Sequence, residues 1–196
     1  MLKKIAEDSV LLPPQAELKF KGQIFDVYQW PQEMFDGSTH QFEMLKRPDT
    51  VNVIGVSDGK ILVINDEQPH LGSRMTFPGG RVDPTDMNTL AAAQREMQEE
   101  TGYSFNSWRL IEVRQPYRKI EWFTYLYLAW DGRKNNEPRF DPGEKITLQL
   151  HTFEEVKDLA MNNTGYIAHE KNLFETLQSL DELLAIPEFI GQEIDR

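Results

Sequence analysis

The chain has 196 residues, a net charge of −11 and no cysteine. The length fits one domain, which buries roughly 70% of its unfolded surface, and the acidity argues against broad non-specific nucleic-acid binding, which relies on basic patches. The missing thiols exclude disulfides, thiolate catalysis and cysteine-based zinc sites.

A charged N-terminal arm ends at Pro13-Pro14, and strand character follows from Glu17 to Tyr28. Asp36-Gly37 is a turn signal, after which Gln41 to Lys46 is extended again. Val51–Val56 and Lys60–Ile64 flank Ser57-Asp58-Gly59, the pattern of a hairpin. Met75 to Phe77 leads into a glycine pair, and a helix follows with Leu90, Ala93 and Met97 as its apolar stripe. Ser107–Val113 and Glu121–Trp130 are predicted strands, and Lys145–His151 is predicted to be extended after a turn at Asp141-Pro142-Gly143-Glu144. Phe153–Met161 and Tyr166–Leu184 have helical spacing, leaving a short tail. No secretory pattern opens the sequence, and the longest apolar run, Trp122 to Trp130, is far short of a membrane span. A cytoplasmic protein with no membrane or nucleic-acid partner is the expectation.

The chemistry concentrates in residues 77–102. Glu96, Glu99 and Glu100 fall on one surface of the predicted helix, because residues three and four apart share a face. Like charges so close repel, and desolvation worsens the repulsion. A divalent cation with oxygen ligands removes that penalty, so the cluster reads as a metal site, with a solvated acidic helix face as the alternative. Thr101-Gly102 supplies a helix stop, and Phe77-Pro78-Gly79-Gly80 ends a strand where backbone groups can approach a ligand closely.

This stretch resembles the Nudix box, which runs Gly, five residues, Glu, seven residues, then Arg-Glu-U-x-Glu-Glu-x-Gly-U, with U bulky and apolar. Gly80, Arg95, Glu96, Met97, Glu99, Glu100, Gly102 and Tyr103 fill the defined places. Asp86 stands where the first glutamate belongs, and one extra residue lies between it and Arg95. The resemblance implies an α/β fold, the Nudix α/β/α sandwich with a mixed β-sheet. The segment from Phe25 through Phe42-Glu43 is similar to the N-terminal region of ADP-ribose pyrophosphatases and nucleoside diphosphate sugar hydrolases. That likeness implies a small N-terminal β subdomain that builds a homodimer interface and part of the substrate site. The expected division is 1–48 for arm and subdomain, 49–185 for the hydrolase domain and 186–196 for a tail.

The resemblance further implies a Mg²⁺ (or Mn²⁺) cage from Glu96, Glu99, Glu100 and the Gly79 carbonyl. Arg95 is expected to orient the carboxylates, and Gly80, Asp86 and Gly102 to shape the box. Glu99 and Glu100 are candidate catalytic residues, and Glu144, in the later acidic loop, is the candidate base or extra ligand. For substrate contacts, Tyr28 and Trp30 are candidates to stack on a base, Glu43 to accept from a base edge, and Arg81 to reach a phosphate, while Arg47 is a substrate candidate whose alternative is to position the following strand. Each of these has a structural alternative as a core, interface or surface residue. Many ADP-ribose pyrophosphatases carry a Gln-x-Arg arginine before the box; here Asp66-Glu67-Gln68-Pro69-His70 stands in that region.

The expected activity is metal-dependent hydrolysis of a small-molecule nucleoside diphosphate derivative, ADP-ribose or a nucleotide sugar, to a nucleoside monophosphate and a sugar phosphate. A coenzyme A diphosphatase is the alternative within the enzyme class. Its expected His-x-Gly-Gln-type motif is absent, since His70-Leu71-Gly72-Ser73-Arg74 occupies that place. A nucleotide-sensing domain without turnover is the alternative outside it.

Overall fold

The computed structural model describes residues 2–69, 71–140, 142–143, 145–162 and 164–195. Its strands in chain order are β1 (Leu2–Ile5), β2 (Glu17–Phe20), β3 (Asp26–Glu33), β4 (Thr39–Lys46), β5 (Thr50–Ser57), β6 (Lys60–Gln68), β7 (Gly72–Thr76), β8 (Tyr103–Arg114), β9 (Ile120–Glu121), β10 (Thr124–Lys134), β11 (Lys145–His151) and β12 (Gln192–Asp195). The helices are α1 (Thr89–Thr101), α2 (Phe153–Met161), α3 (Lys171–Thr176) and α4 (Leu180–Leu184), with a 3-10 turn at Gly165–Glu170 before α3.

The central sheet runs β11-β6-β5-β10-β8, with β7 also paired to β6. It is mixed, since β5 and β10 are parallel while β8, β6, β7 and β11 join antiparallel. Alternation along β5 feeds two cores, as the two-residue period of a strand requires. Val51 and Val53 pack with Ala92, Ala93 and Met97 of α1. Ile54 and Val56 pack on the other face with Phe153, Val156, Ile167 and Phe174. The result is the α/β/α sandwich expected from the sequence.

A second sheet, β2-β3-β4-β9, holds the early strands. Within it, Glu121 of β9, only 2% exposed, accepts from Lys46 Nζ of β4 and from the Leu12 amide of the N-terminal arm, both at 2.7 Å.

The β5–β6 hairpin positions the site. Asp58 and Gly59 turn it with positive φ, as a two-residue hairpin loop requires, but only Val56↔Ile61 and Ser57↔Lys60 pair. Beyond that point β6 leaves β5 for β7. Pro78 and Gly80 take its place beside β5, accepting from the Val53 and Val51 amides at 2.8 and 2.9 Å. A gap therefore opens between β5 and the β6–β7 pair.

Several expectations need correction. The 186–196 tail contains β12, which pairs antiparallel with β1 of the expected arm, and Ile5 is fully buried in the α1-side core. Strands of only four residues, carrying Lys3, Lys4, Glu193 and Asp195, are too short and too charged for Ile5 and Ile194 to stand out as an apolar face. Glu17–Tyr28 is two strands, broken where Asp26 draws in Lys21 Nζ and the Gly22 amide. Tyr166–Leu184 is three short pieces, because Leu177 is extended and Ser179 caps a new helix on the Glu182 amide. Gly72–Arg74, left outside the predicted strands, belongs to β7.

Candidate active site

Helix α1 is delimited by the residue types that helices use at their ends. Asn88 accepts from the Ala91 amide at 2.9 Å and caps the start. Gly102, in the left-handed region at φ 76°, ends it. A side chain at Gly102 would place its Cβ 2.1 Å from the Asn136 carbonyl, so glycine is required there.

Arg95 organises the exposed face of this helix. Its Nε and Nη2 donate to the two Asp86 oxygens at 3.1 and 3.0 Å. Nη2 also donates to the Arg81 carbonyl at 2.9 Å, and Nη1 donates to Glu96 and Glu99 at 2.9 and 3.0 Å. These bonds, above all the pair to Asp86, hold the guanidinium pKa above its ordinary value. In turn, the hydrogen bonds from Arg95 hold Asp86 below the usual carboxylate range, outweighing the opposing effect of burial. The Asp83 amide adds a further bond to Asp86 at 2.8 Å. The shorter acid at this box position thus reaches Arg95 with both oxygens.

Glu100 is 7% exposed and accepts from the Gly79 amide at 2.7 Å. Since Pro78 and Gly80 turn their carbonyls to β5, strand alternation turns the Gly79 peptide toward α1. A Cβ on Gly79 would lie 2.1 Å from the Val51 carbonyl, and one on Gly80 would lie 2.5 Å from a Glu96 oxygen. Glycine at both places lets the loop fit between β5 and the carboxylates.

A cavity of about 380 Å³ collects Gly79, Gly80, Arg81, Arg95, Glu96, Glu99, Glu100 and Arg47, together with Arg139 and Ile24. Two adjoining cavities share Arg47 with it. One of about 330 Å³ includes Asp66, Arg74 and Tyr166, and one of about 450 Å³ includes Tyr117, Trp122 and His169. Arg47 lies 4.6 Å over the Trp122 ring, and burial lowers its pKa, with Arg81 adding repulsion.

Among the described residues, no three His, Cys, Asp or Glu side chains converge closely enough to hold a metal ion as placed. The expected cage is not preassembled, because Arg95 holds Glu96 and Glu99 while the Gly79 amide holds Glu100. The donor set itself fits a hard divalent cation: three carboxylates line one cavity beside the Gly79 peptide, and Mg²⁺ and Mn²⁺ take oxygen ligands.

Tyr28, Trp30 and Glu43 do not line these cavities. Trp30 is 5% exposed, packs with Leu12 and Met44, and donates to Gln32. Glu43 accepts from Gln29 on the neighbouring strand. Glu144, Asp141 and His70 lie outside the described residues. Sequence reasoning missed Arg139, whose amide donates to the Glu99 carbonyl at 2.7 Å and which lines the cavity. Its only sequence signal was a cation just before the Asp141-Pro142-Gly143 turn. Trp122, in the predicted strand Glu121–Trp130 and not among the site candidates, is half-buried on a cavity wall.

A model of the NUDIX domain family matches residues 46–171. The chain is 26% identical over 172 residues to an ADP-ribose pyrophosphatase of Bacillus subtilis (strain 168), covering 85% of this chain and 91% of that protein. It is 36% identical over 67 residues to a probable nudix hydrolase of Schizosaccharomyces pombe, covering 33% of this chain and 24% of that protein. Among solved structures, one described as an ADP compounds hydrolase superposes with a TM-score of 0.61 at 19% identity, over 80% of this chain and 84% of that one.

Proposed function

The chain belongs to the NUDIX domain family, and from that premise we propose that it is a divalent-metal-dependent pyrophosphohydrolase of ADP-ribose or a nucleoside diphosphate sugar. The observation that carries the reading is a charge arrangement. In a chain of net charge −11, Arg47, Arg81, Arg95 and Arg139 line the same cavity as Glu96, Glu99 and Glu100. Cations gathered beside a carboxylate cluster suit a polyanion that is held by arginine and bridged to the carboxylates by metal. The likeness to a curated ADP-ribose pyrophosphatase along most of both chains supports that substrate class.

Glu96, Glu99, Glu100 and the Gly79 carbonyl would hold Mg²⁺ or Mn²⁺. When bound, the metal neutralises phosphate oxygens and lowers the pKa of a water for attack. The chain's own residues do the rest. Arg81 and Arg47 bind the diphosphate, and an anion beside Arg47 relieves the repulsion between those two cations. Arg95 fixes the carboxylates of Glu96 and Glu99. Gly79 and Gly80 leave the backbone open to close approach. Glu99, 46% exposed, and Glu144 are the candidates to take the proton of the attacking water.

We place the protein in the cytoplasm as a homodimer. No helix among the described residues is long and apolar enough to cross a membrane. Phe20, Ile24 and Leu18 of the N-terminal region are exposed at 62%, 56% and 47%, and such apolar surface favours association. Ile24 also lines the active cavity. Light scattering tests the dimer, and a monomer would undercut a shared interface.

The decisive test is a hydrolysis panel with Mg²⁺ spanning ADP-ribose, nucleotide sugars, coenzyme A and nucleoside triphosphates, with products identified by mass. Preference for ADP-ribose or a nucleotide sugar, yielding a nucleoside monophosphate, is the expected result. Silence across the panel with binding retained would sink the hydrolase reading and favour a sensor.

A further inference from the structure

Asp66 and Arg74 stand opposite each other in the β6–β7 ladder, beside the gap where β6 parts from β5. Asp66 is 8% exposed and the Arg74 side chain 12%. One Asp66 oxygen accepts from Gln68 at 2.9 Å and lies 3.6 Å from Arg74 Nη2. Arg74 Nη1 donates to the Tyr166 hydroxyl at 2.9 Å, and the guanidinium lies 4.7 Å from that ring's centre.

Among the described residues, three buried polar atoms remain without a partner here: Asp66 Oδ1, Arg74 Nε and Arg47 Nε. All three residues line the cavity of about 330 Å³ that also takes in Gly79, Gly80 and Glu100. A buried polar group left unpaired is costly, so one acceptor and two donors on residues that line one cavity call for a ligand that offers both functions.

We propose that this cavity is a subsite for the vicinal hydroxyls of a sugar bonded directly to a substrate phosphate. Asp66 accepts hydroxyl protons, and Arg74 and Arg47 donate to hydroxyl oxygens. The inference rests on the reading of the site as one for nucleoside diphosphate derivatives and specifies what flanks the phosphates. The cavity shares Gly79, Gly80 and Arg81 with the active cavity, so its occupant is the first group beyond the phosphate. A second phosphate there would satisfy the arginines but meet the Asp66 carboxylate without a proton to give it. A pantetheine arm supplies no vicinal diol. A nucleobase lies one sugar farther out.

Calorimetric titration in EDTA, where binding is read without turnover, tests the assignment. The probes are ADP-ribose and a diol-free analogue, the methyl ester of 2′,3′-dideoxyadenosine 5′-diphosphate. Wild type should bind ADP-ribose at least about tenfold more tightly than the analogue, the worth of one good hydrogen bond to a charged group. Asp66→Ala should remove most of that preference while leaving analogue affinity within about twofold. Asp66→Asn and Arg74→Lys, which keep the local packing, should each narrow it by about threefold or more. Equal binding of the two probes by wild type would overturn the proposal. So would an equal loss on both probes in every variant, since that marks a purely structural pair. Failure of the hydrolase reading looks different: turnover is absent while the diol preference persists.

Discussion

The carboxylate of Asp86 and the guanidinium of Arg95 meet through two parallel hydrogen bonds, at 3.1 and 3.0 Å, across a loop one residue longer than the box pattern prescribes. Arg95 depresses the Asp86 pKa below its ordinary 3.8. The stabilisation is therefore complete above the unfolded value and is lost as pH falls through the folded one. Asp86→Asn should lower Tm at pH 7 by roughly 4–8 °C and flatten the decline in Tm between about pH 5 and pH 2. Melting curves across that range check it, and an unchanged acid limb would remove Asp86 from the account.

Glu100→Gln keeps an oxygen to accept from the Gly79 amide but removes the charge a cation needs. Turnover should fall by about 100-fold or more with Tm shifted by no more than about 3 °C. Retained activity would sink the carboxylate cage.

Gly79→Ala and Gly80→Ala should separate stability from activity. The first forces a Cβ onto the Val51 backbone, which cannot yield, so a loss of about 2 kcal/mol or more is expected in urea unfolding. The second meets the Glu96 carboxylate first, a movable side-chain end. Its unfolding free energy should change by less than about 1 kcal/mol, while the rate falls more than about tenfold through displaced Glu96.

Glu144→Gln should reduce the rate more than about tenfold if the loop supplies a base or ligand. An equal rate in variant and wild type would return Asp141-Pro142-Gly143-Glu144 to an ordinary turn.

The box was readable because its chemistry is local: Glu96, Glu99 and Glu100 share a helix face through spacing alone, and Gly79 and Gly80 mark a close approach. The hairpin at Ser57-Asp58-Gly59 was readable for the same reason. What escaped depends on contacts distant in sequence. Asp66 and Arg74 gain meaning only when β7 folds back on β6. Trp122 and Arg47, from the end of the N-terminal sheet, come together on one cavity wall only in the folded chain. Nothing in Gln192–Asp195 announces pairing with Leu2–Ile5, since neither strand has an internal pattern long enough to read.

The loop beside β5 also divides the box by its tolerance of length. Pro78 and Gly80 are in register with Val53 and Val51, Arg81 bridges Thr50, and the Val82 amide donates to the Asp49 carbonyl. A residue added in that run would slip every later pairing and turn the Gly79 peptide away from the helix. After Val82 the ladder ends, and the chain to Asn88 is fastened chiefly through Asp86. An inserted residue between Asp86 and α1 only lengthens a tether whose two ends are already pinned. The extra residue in this sequence falls in that forgiving stretch.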